Sequence, residues 1–186
     1  MDQDPRTLTS KQQAIADMWD AHVAAEFSEH SLDATLATMT GSPSVNHMPV
    51  ITGGRGLDQV KHFYGTYFIP CQPPDTETVP LSRTIGEDRL VDELLHKFTH
   101  TIEMPWILPG VPPTGKRVEI AVIVVVSFED GKISGERIYW DQASVLVQLG
   151  LIDPSALPVW GLEVAEKAAD PTRPANGLIE RAESHG

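Results

Sequence analysis

Imidazole and carboxylate groups recur along DRLVDELLHKFTHTIEM, residues 88–104, at positions that share one parity. Successive residues of a β-strand point to opposite faces of its sheet. If this segment is a strand, one face carries Asp92, Leu94, His96, Phe98 and His100. Apolar side chains mixed with two imidazoles and a carboxylate are typical of a ligand cavity in which a proton is moved.

A second strand-like segment, KISGERIYWD, adds carboxylates. One face carries Glu136, Ile138 and Trp140. A carboxylate inside an apolar cavity must pair with an imidazole or hold a raised pKa, so Glu136 is a candidate acid partner, and an outward, solvated glutamate is the alternative. Asp141 ends the strand just before QASVL, where an N-cap is the expected role, with a direct part in catalysis as the alternative.

Two further candidates lie in the first half of the chain. His47, in VNHMP, closes a short strand before a glycine-rich stretch, where a side chain can reach into a pocket. His22 and Glu26 lie one helical turn apart and are able to pair. We interpret the His22–Glu26 pair as structural.

Aromatic residues supply the expected walls of such a cavity. We predict that the ligand contacts a set of mainly apolar and aromatic side chains: Trp19, Tyr64, His96, Phe98, Trp106, Val124 and Trp140. Taken singly, each of Trp19, Tyr64, Trp106 and Trp140 is more typical of a core than of a pocket wall. For Arg83, in LSRTIG, we favour a salt bridge at a strand end over a cation in the pocket.

A metal site is not expected. His96 and His100 have a spacing that binds zinc well on a helix, but four residues of a strand span ~13 Å, too far for one ion.

The secondary-structure elements that must position these residues change along the chain, from segments with helical periodicity to segments with the alternation of strands. Thr9 or Ser10 begins an amphipathic helix, a short helix follows near Asp33, and GLDQVKHFYGTYFI is a third. SVNHMPVI is a brief strand closed by TGGRG as a turn, and four longer strands follow as two hairpins, turning at GE and EDG. We predict a flexible stretch 1–8, one domain over 9–152 and an extended tail over 153–186. Helices followed by antiparallel strands indicate an α+β fold, a cone-shaped curved sheet wrapped around the helices.

The bulk composition narrows the function classes. The chain has 186 residues and a formal net charge of -12, without a basic stripe, which argues against nucleic acid as a partner. No apolar run reaches the roughly 18 residues of a membrane span, and MDQDPRTLTS does not have a signal-peptide pattern. With a single cysteine and therefore no internal disulfide, we expect a cytoplasmic location.

Three segments together resemble a known family: LPGVPPTGKRVEI, FEDGKI and ERIYWD. They are similar to the end of the SnoaL-like polyketide cyclases, within the nuclear transport factor 2-like superfamily. The resemblance covers roughly residues 19–151. It implies a cone-shaped α+β barrel, usually a homodimer through the outer sheet face, with no cofactor and with acid/base chemistry inside the cone.

The resemblance also ranks the candidates. His100, in FTHT, matches a histidine of the cyclase pattern F-x-x-T-H-T-G and becomes the leading candidate for the base. Similarity to the epoxide hydrolases of the superfamily turns Glu136 inward as its partner. The resemblance places the aspartate that acts as acid/base in the cyclases at or near Val124, and a register shift of one or two residues stays within VIVVV, so that carboxylate does not carry over.

We therefore expect a cofactor-independent enzyme that performs isomerisation, cyclisation, dehydration or hydrolysis on a small hydrophobic molecule. His100, Glu136, His47, Asp92 and Asp141 are its candidate catalytic residues. A non-catalytic small-ligand carrier and a structural dimeric accessory protein are the alternatives.

Overall fold

The computed structural model describes residues 7–184, and its centre is one curved, open sheet. The strands are β1 (Met39–His47), β2 (Thr52–Arg55), β3 (Glu77–Ile85), β4 (Arg89–Thr99), β5 (Arg117–Glu129) and β6 (Lys132–Trp140). Their order is β2-β1-β6-β5-β4-β3; β1 and β6 run parallel, and all other neighbours are antiparallel. The predicted α+β class and both predicted hairpins of the second half are confirmed.

Three helices precede or interrupt the sheet: α1 (Ser10–Phe27), α2 (Leu32–Ala37) and α3 (Leu57–Phe63). The predicted start of α1 is confirmed, because Thr9 and Gln12 form a capping box that satisfies free amides of the first turn. Ser31 caps α2 in the same way, by accepting from Ala34 N. Beyond α3 the chain continues as one π-helical turn, Tyr64–Phe68, and a short 3-10 turn, Ile69–Cys71.

Strand parity decides which side chains face the helices. In β5, alternate residues are buried, Val118 through Val126, whereas Ile123 between them is 44% exposed. The inner face of β4 buries Asp92 and His96 in the same way. The run VIVVV thus contributes both faces of a strand, with Val122, Val124 and Val126 turned inward.

One segment differs from its prediction. TGGR, expected to be a turn, is strand β2, and the actual turn is formed by residues 48–51. Gly53 permits this pairing: its φ is +134°, and a Cβ there would meet the carbonyl oxygen of Val45 at 1.9 Å. Gly53 therefore permits the close approach of β2 to β1.

The chain after β6 is partly helical. It forms α4 (Gln142–Gln148), α5 (Glu163–Ala169) and α6 (Gly177–Glu183), so the segment predicted as an extended tail contains two short helices. Ala165 of α5 is buried, and α5 contacts β5. Of the N-terminal stretch predicted to be flexible, residues 1–6 lie outside the described residues. Among the described helices, none combines the length and apolarity required to cross a membrane.

Candidate active site

A cavity of about 230 Å³ lies between α1 and the inner face of the sheet. Its apolar walls come mainly from the strands: Val45, Ile120, Val122, Val124 and Ile138. Aromatic side chains close its ends: Trp19, Phe27, Tyr64, Phe68, Trp106 and Trp140. Its polar groups converge from four strands and α1: Glu26, His47, Thr78, Arg83, Asp92, Glu93, His96 and Glu136. An apolar pocket with a few convergent polar groups is the usual form of a small-molecule site.

Four side chains meet at one wall of this cavity and form what we call the acid cluster: His22, Glu26, Tyr64 and Glu136. His22 Nε2 lies 3.0 Å from Glu26 Oε1 and 3.2 Å from Glu136 Oε1. The Tyr64 hydroxyl donates to the same Glu136 oxygen at 3.1 Å. His22 is fully buried behind the other three, which line the cavity. Glu136 is thus a carboxylate of the cavity wall, with the imidazole of His22 behind it and the phenol of Tyr64 beside it.

Local structure explains why these four groups meet. His22 and Glu26 lie one turn apart on the face of α1 that is turned to the sheet. Glu136 belongs to the inward parity of β6, together with Ile138. Tyr64 is the first residue of the π-helical turn, a feature often found at functional sites.

Burial and mutual charge set the protonation of the acid cluster. Burial alone would lower the pKa of His22, but Glu26 and Glu136 outweigh it and raise that pKa to about 10. Burial raises the pKa of Glu26, against the attraction of His22. Burial likewise raises the pKa of Tyr64 well above its ordinary value, with the two carboxylates adding to the effect. At neutral pH His22 is therefore an imidazolium and Tyr64 a neutral donor.

Thr38 fixes which nitrogen of His22 exchanges its proton. Its hydroxyl oxygen lies 2.6 Å from His22 Nδ1 and 2.6 Å from the carbonyl oxygen of Thr35. A hydroxyl has one proton and the carbonyl can only accept, so Thr38 donates to Thr35 and accepts from Nδ1–H. The exchangeable proton of His22 is consequently the one on Nε2, which faces the two carboxylates.

Two other imidazoles at the cavity, those of His47 and His96, have lowered pKa values, in contrast to the raised pKa of His22. Burial lowers the pKa of His47 to about 4, although Glu136 and a backbone hydrogen bond with Thr52 act in the other direction. Burial, with a smaller effect of His47, lowers the pKa of His96 to about 4 as well. Both side chains are neutral at neutral pH.

The second inward carboxylate, Asp92, is tied into an ion pair at the β3 side of the cavity. Arg83 Nε donates to Asp92 Oδ1 at 2.6 Å, and Arg83 Nη2 donates to Oδ2 at 2.8 Å. Trp19 Nε1 donates to Oδ2 at 2.7 Å, and Asp20 accepts from Arg83 Nη1 at 2.8 Å. Both oxygens of Asp92 are thus engaged with the protein. Arg83 forms the expected salt bridge and also lines the cavity.

Most of the residues predicted from the sequence line the cavity. The members found there are Trp19, His47, Tyr64, Asp92, His96, Trp106, Val124, Glu136 and Trp140. Asp141 does not line it: its carboxylate accepts from the amides of Ala143 and Ser144 and caps α4, the expected N-cap role. Phe98 is fully buried in the core without lining the cavity.

His100 is also outside the cavity. Strand β4 ends at Thr99, so the alternation that would turn His100 inward stops one residue earlier. Its backbone instead bonds to Lys116 and Gly115, and its ring bonds to Thr114. No hydrogen bond joins His100 to Glu136 among the residues described.

The imidazole beside Glu136 is that of His22 rather than His100, and Glu26 is a second carboxylate in contact with the same imidazole. Sequence reasoning found their pairing but interpreted it as structural. A sign that this pair lies beside the cavity was present: a histidine and a glutamate one turn apart on a face that also carries Trp19. What the sequence did not show is that Glu136 and Tyr64 meet the same face.

The acid cluster also has the composition of a cation site. His22, Glu26 and Glu136 each offer a ligand atom, and these atoms lie within 4.8 Å of one another. The distances from His22 Nε2 to the two carboxylate oxygens, 3.0 and 3.2 Å, also fit ionic hydrogen bonds. In that arrangement the proton on Nε2 occupies the position that a metal ion would take.

Comparisons with known proteins agree with this fold. The family model for SnoaL-like polyketide cyclase matches residues 12–149. A putative SnoaL-like polyketide cyclase from Jannaschia sp. CCS1 superposes with a TM-score of 0.63 at 19% identity, covering 80% of this chain and 99% of its own. AclR, a putative hydroxylase from Streptomyces galilaeus, gives 0.59 at 22% identity, covering 76% and 99%.

A further solved structure, the epoxide hydrolase/cyclase-like enzyme SalBIII of pyran ring formation in polyether salinomycin, gives 0.54 at 14% identity, covering 72% and 95%. At these identities the solved structures show a shared fold. A search of curated proteins gives no significant match.

Proposed function

The chain belongs to the SnoaL-like polyketide cyclase family, and from this premise we propose that it is a cofactor-independent enzyme that moves protons on a small hydrophobic molecule. The observation that carries the proposal is Glu136, a buried carboxylate at the wall of an apolar cavity, bonded to His22 and Tyr64. Buried carboxylates with specific partners in a cavity are typical of acid/base sites.

The contacts of Glu136 assign its two oxygens different roles. Both protein partners found among the described residues bond to Oε1, which leaves Oε2 for a ligand. Glu136 Oε2 is then the general base. It takes a proton from a carbon next to a carbonyl, or from a water or hydroxyl that attacks the substrate.

The remaining members of the acid cluster balance this transfer. When Glu136 takes a proton from carbon, the C–H electron pair moves into the carbonyl group and forms an enolate. Protonation of Glu136 weakens its hold on the His22 proton, so Glu26 becomes the main acceptor of Nε2–H, at 3.0 Å. Glu136 then returns its proton to another carbon or to a leaving oxygen. The Tyr64 hydroxyl holds the carboxylate in place throughout.

The apolar walls strengthen this chemistry. A ligand that fills the cavity excludes water, and charge interactions at Glu136 then act in a medium of low dielectric. Isomerisation, cyclisation, dehydration and hydrolysis all begin with a proton transfer of this kind. The solved structure described as an epoxide hydrolase/cyclase-like enzyme falls within this range of reactions.

A carrier function is the second candidate, and a specific observation favours it. Val124, where the cyclases have their aspartate, is an apolar wall residue, and most of the cavity surface is apolar. A carrier needs the cavity but not the acid cluster. Replacement of Glu136 therefore distinguishes the two functions, because it should abolish catalysis but leave ligand binding.

The deciding experiment is solvent exchange on a probe ketone. Wild-type protein with 2-tetralone in D2O should incorporate deuterium next to the carbonyl well above the buffer rate, as followed by proton NMR. Glu136→Gln keeps the shape but removes the base, and we expect at least a hundredfold slower exchange. A parallel screen of lactones and epoxides covers attack by water.

His100→Gln is the matched control. It alters a buried histidine outside the cavity, and we expect exchange within about twofold of the wild type. Exchange at the buffer rate for the wild type with every probe would reject the enzyme, and tight probe binding would then support a carrier. Loss of exchange in His100→Gln with exchange kept in Glu136→Gln would restore His100 as the base.

The homodimer implied by the family stays a prediction. Ile123 and Tyr139, on the outer faces of β5 and β6, are 44% and 40% exposed, which is compatible with such an interface. Light scattering after gel filtration measures the mass directly.

A further inference from the structure

Two histidines that line the cavity each have one buried ring nitrogen without a hydrogen-bond partner among the described residues: His47 Nδ1 and His96 Nε2. Buried polar groups are nearly always bonded, because an unsatisfied one costs about 1–3 kcal/mol. Both side chains line the cavity. Their missing partner is therefore expected to come from a molecule inside it.

The two imidazoles converge on one end of the cavity although they come from different strands. His47 lies on β1 and His96 on β4, and both rings contact the indole of Trp106, at centroid distances of 5.4 and 5.7 Å. Phe68 and Trp140 pack against His47, and Phe27 packs against His96. Aromatic contacts thus hold both rings, and they leave His47 Nδ1 and His96 Nε2 without a hydrogen-bond partner among the described residues.

Charge determines what these nitrogens can bind. Burial holds the pKa of each imidazole at about 4, so each is neutral at neutral pH. A neutral imidazole has one N–H donor and one bare nitrogen acceptor. Such a pair suits a carbonyl or hydroxyl oxygen. It does not suit a carboxylate or phosphate, for which cations are needed, and the only arginine at the cavity is already bonded to Asp92 and Asp20 within the described part of the chain.

We propose that His47 and His96 form an oxygen-recognition site, and that the ligand is a neutral compound of one or two rings with a carbonyl or hydroxyl group. The cavity of about 230 Å³ lies below the roughly 300–1,000 Å³ typical for drug-sized ligands. Its walls between the imidazoles and Glu136 are apolar, including Val45, Val122 and Ile138. The polar group sits at the imidazoles, and the reacting atom faces Glu136; the second half of this statement rests on the proposed function.

Binding of a matched pair of probes tests the proposal without any reaction. 1-Tetralone and tetralin share the same two rings and differ in the carbonyl oxygen. We expect the wild type to bind 1-tetralone about tenfold more tightly than tetralin in NMR titrations, the effect of one satisfied buried hydrogen bond. The preference should fall to about threefold in His47→Phe or His96→Phe and vanish in the double variant. His62→Phe, at an exposed histidine, is the matched control and should keep the full preference.

A direct measurement does not depend on how the variants fold. In wild-type protein, 1-tetralone should shift the imidazole 15N resonances of His47 and His96, and tetralin should not. Equal affinity for the two probes, no binding of either, or a preference kept by the double variant would overturn the proposal. Glu136→Gln should keep the oxygen preference, so a failure of the proton-transfer function leaves this result unaffected.

Discussion

The histidines around one cavity are of two kinds, whose pKa values differ more from each other than either differs from the ordinary value of 6.5. His22 has a pKa of about 10, whereas His47 and His96 have pKa values of about 4. All three are at least nine-tenths buried. Burial disfavours the imidazolium in each case, so burial alone does not explain the difference.

The neighbours of each ring explain it. His22 faces two carboxylates at hydrogen-bond distance and has its other nitrogen bonded to Thr38. His47 and His96 face mainly aromatic rings and have a nitrogen with no partner. The same type of side chain is thus charged beside the acid cluster and neutral beside the aromatic rings.

The largest effect is expected from removing the carboxylates that distinguish His22. In the double variant Glu26→Gln, Glu136→Gln only burial remains, so the pKa of His22 should fall from about 10 to below 6.5. NMR titration of the imidazole measures it. Asp92→Asn is the matched control, because it alters a carboxylate of the same cavity that bonds to Arg83 and Trp19; the pKa of His22 should move by less than about half a unit. A double variant that still titrates near 10 would refute this account.

The two kinds of histidine should also give opposite pH windows of stability. The pKa of His22 is raised when folded, so its contribution to the free energy of unfolding is full below 6.5 and is lost as pH rises toward 10. The pKa values of His47 and His96 are depressed, so their contribution is present above 6.5 and is lost as pH falls toward 4. The loss is at most about 3 kcal/mol for each neutral histidine.

Urea unfolding between pH 7 and pH 4 checks the acidic window. His47→Phe with His96→Phe should flatten the decline over this range, whereas His62→Phe should leave it unchanged. An equally steep decline in the double variant would assign the acid sensitivity to other groups.

A moderate effect is expected at Thr38, whose hydroxyl determines which ring nitrogen of His22 carries the proton when the imidazole is neutral. In the Glu26→Gln, Glu136→Gln background His22 is neutral near pH 7, and Thr38 should keep its proton on Nδ1. Adding Thr38→Val removes the acceptor and should shift the tautomer toward Nε2–H by about tenfold. Imidazole 15N shifts report the tautomer. Thr38→Ser retains the hydroxyl and should restore the Nδ1 form; a tautomer unaffected by the valine would exclude this role.

The smallest effect is expected at the Arg83–Asp92 ion pair. Arg83 is 32% exposed in its side chain, so solvent screens the pair, and Arg83→Met should cost about 1 kcal/mol in the free energy of unfolding. The pKa of His22 should stay near 10 in this variant. A fall of a whole unit would show that the two carboxylate regions are coupled.

The sequence predicted the fold and the cavity walls better than it predicted the proton-moving groups. Period-2 alternation determined which residues of β4, β5 and β6 face inward, because side-chain direction in a strand depends on local geometry alone. His100 shows the limit of that rule: the pattern of DELLHKFTHT continues past the point where the strand stops. His22 and Glu26 could be paired from their spacing, but their meeting with Glu136 depends on how α1 crosses a strand more than a hundred residues later.

The π-helical turn at Tyr64–Phe68 bears on how this chain can be compared with relatives and altered. A π turn holds one more residue than an α-helical turn of the same height, so it is in effect an insertion. Deletion of one residue within 65–67 would let the segment rewind as an α-helix. The side chains that follow in this helical segment would then rotate about its axis by about 100°. Phe68 would leave the neighbourhood of His47, while Tyr64, which precedes the deletion, would stay with Glu136. A one-residue length difference among natural homologues at this turn would therefore mark a change in what the cavity accepts, with its acid/base machinery left intact.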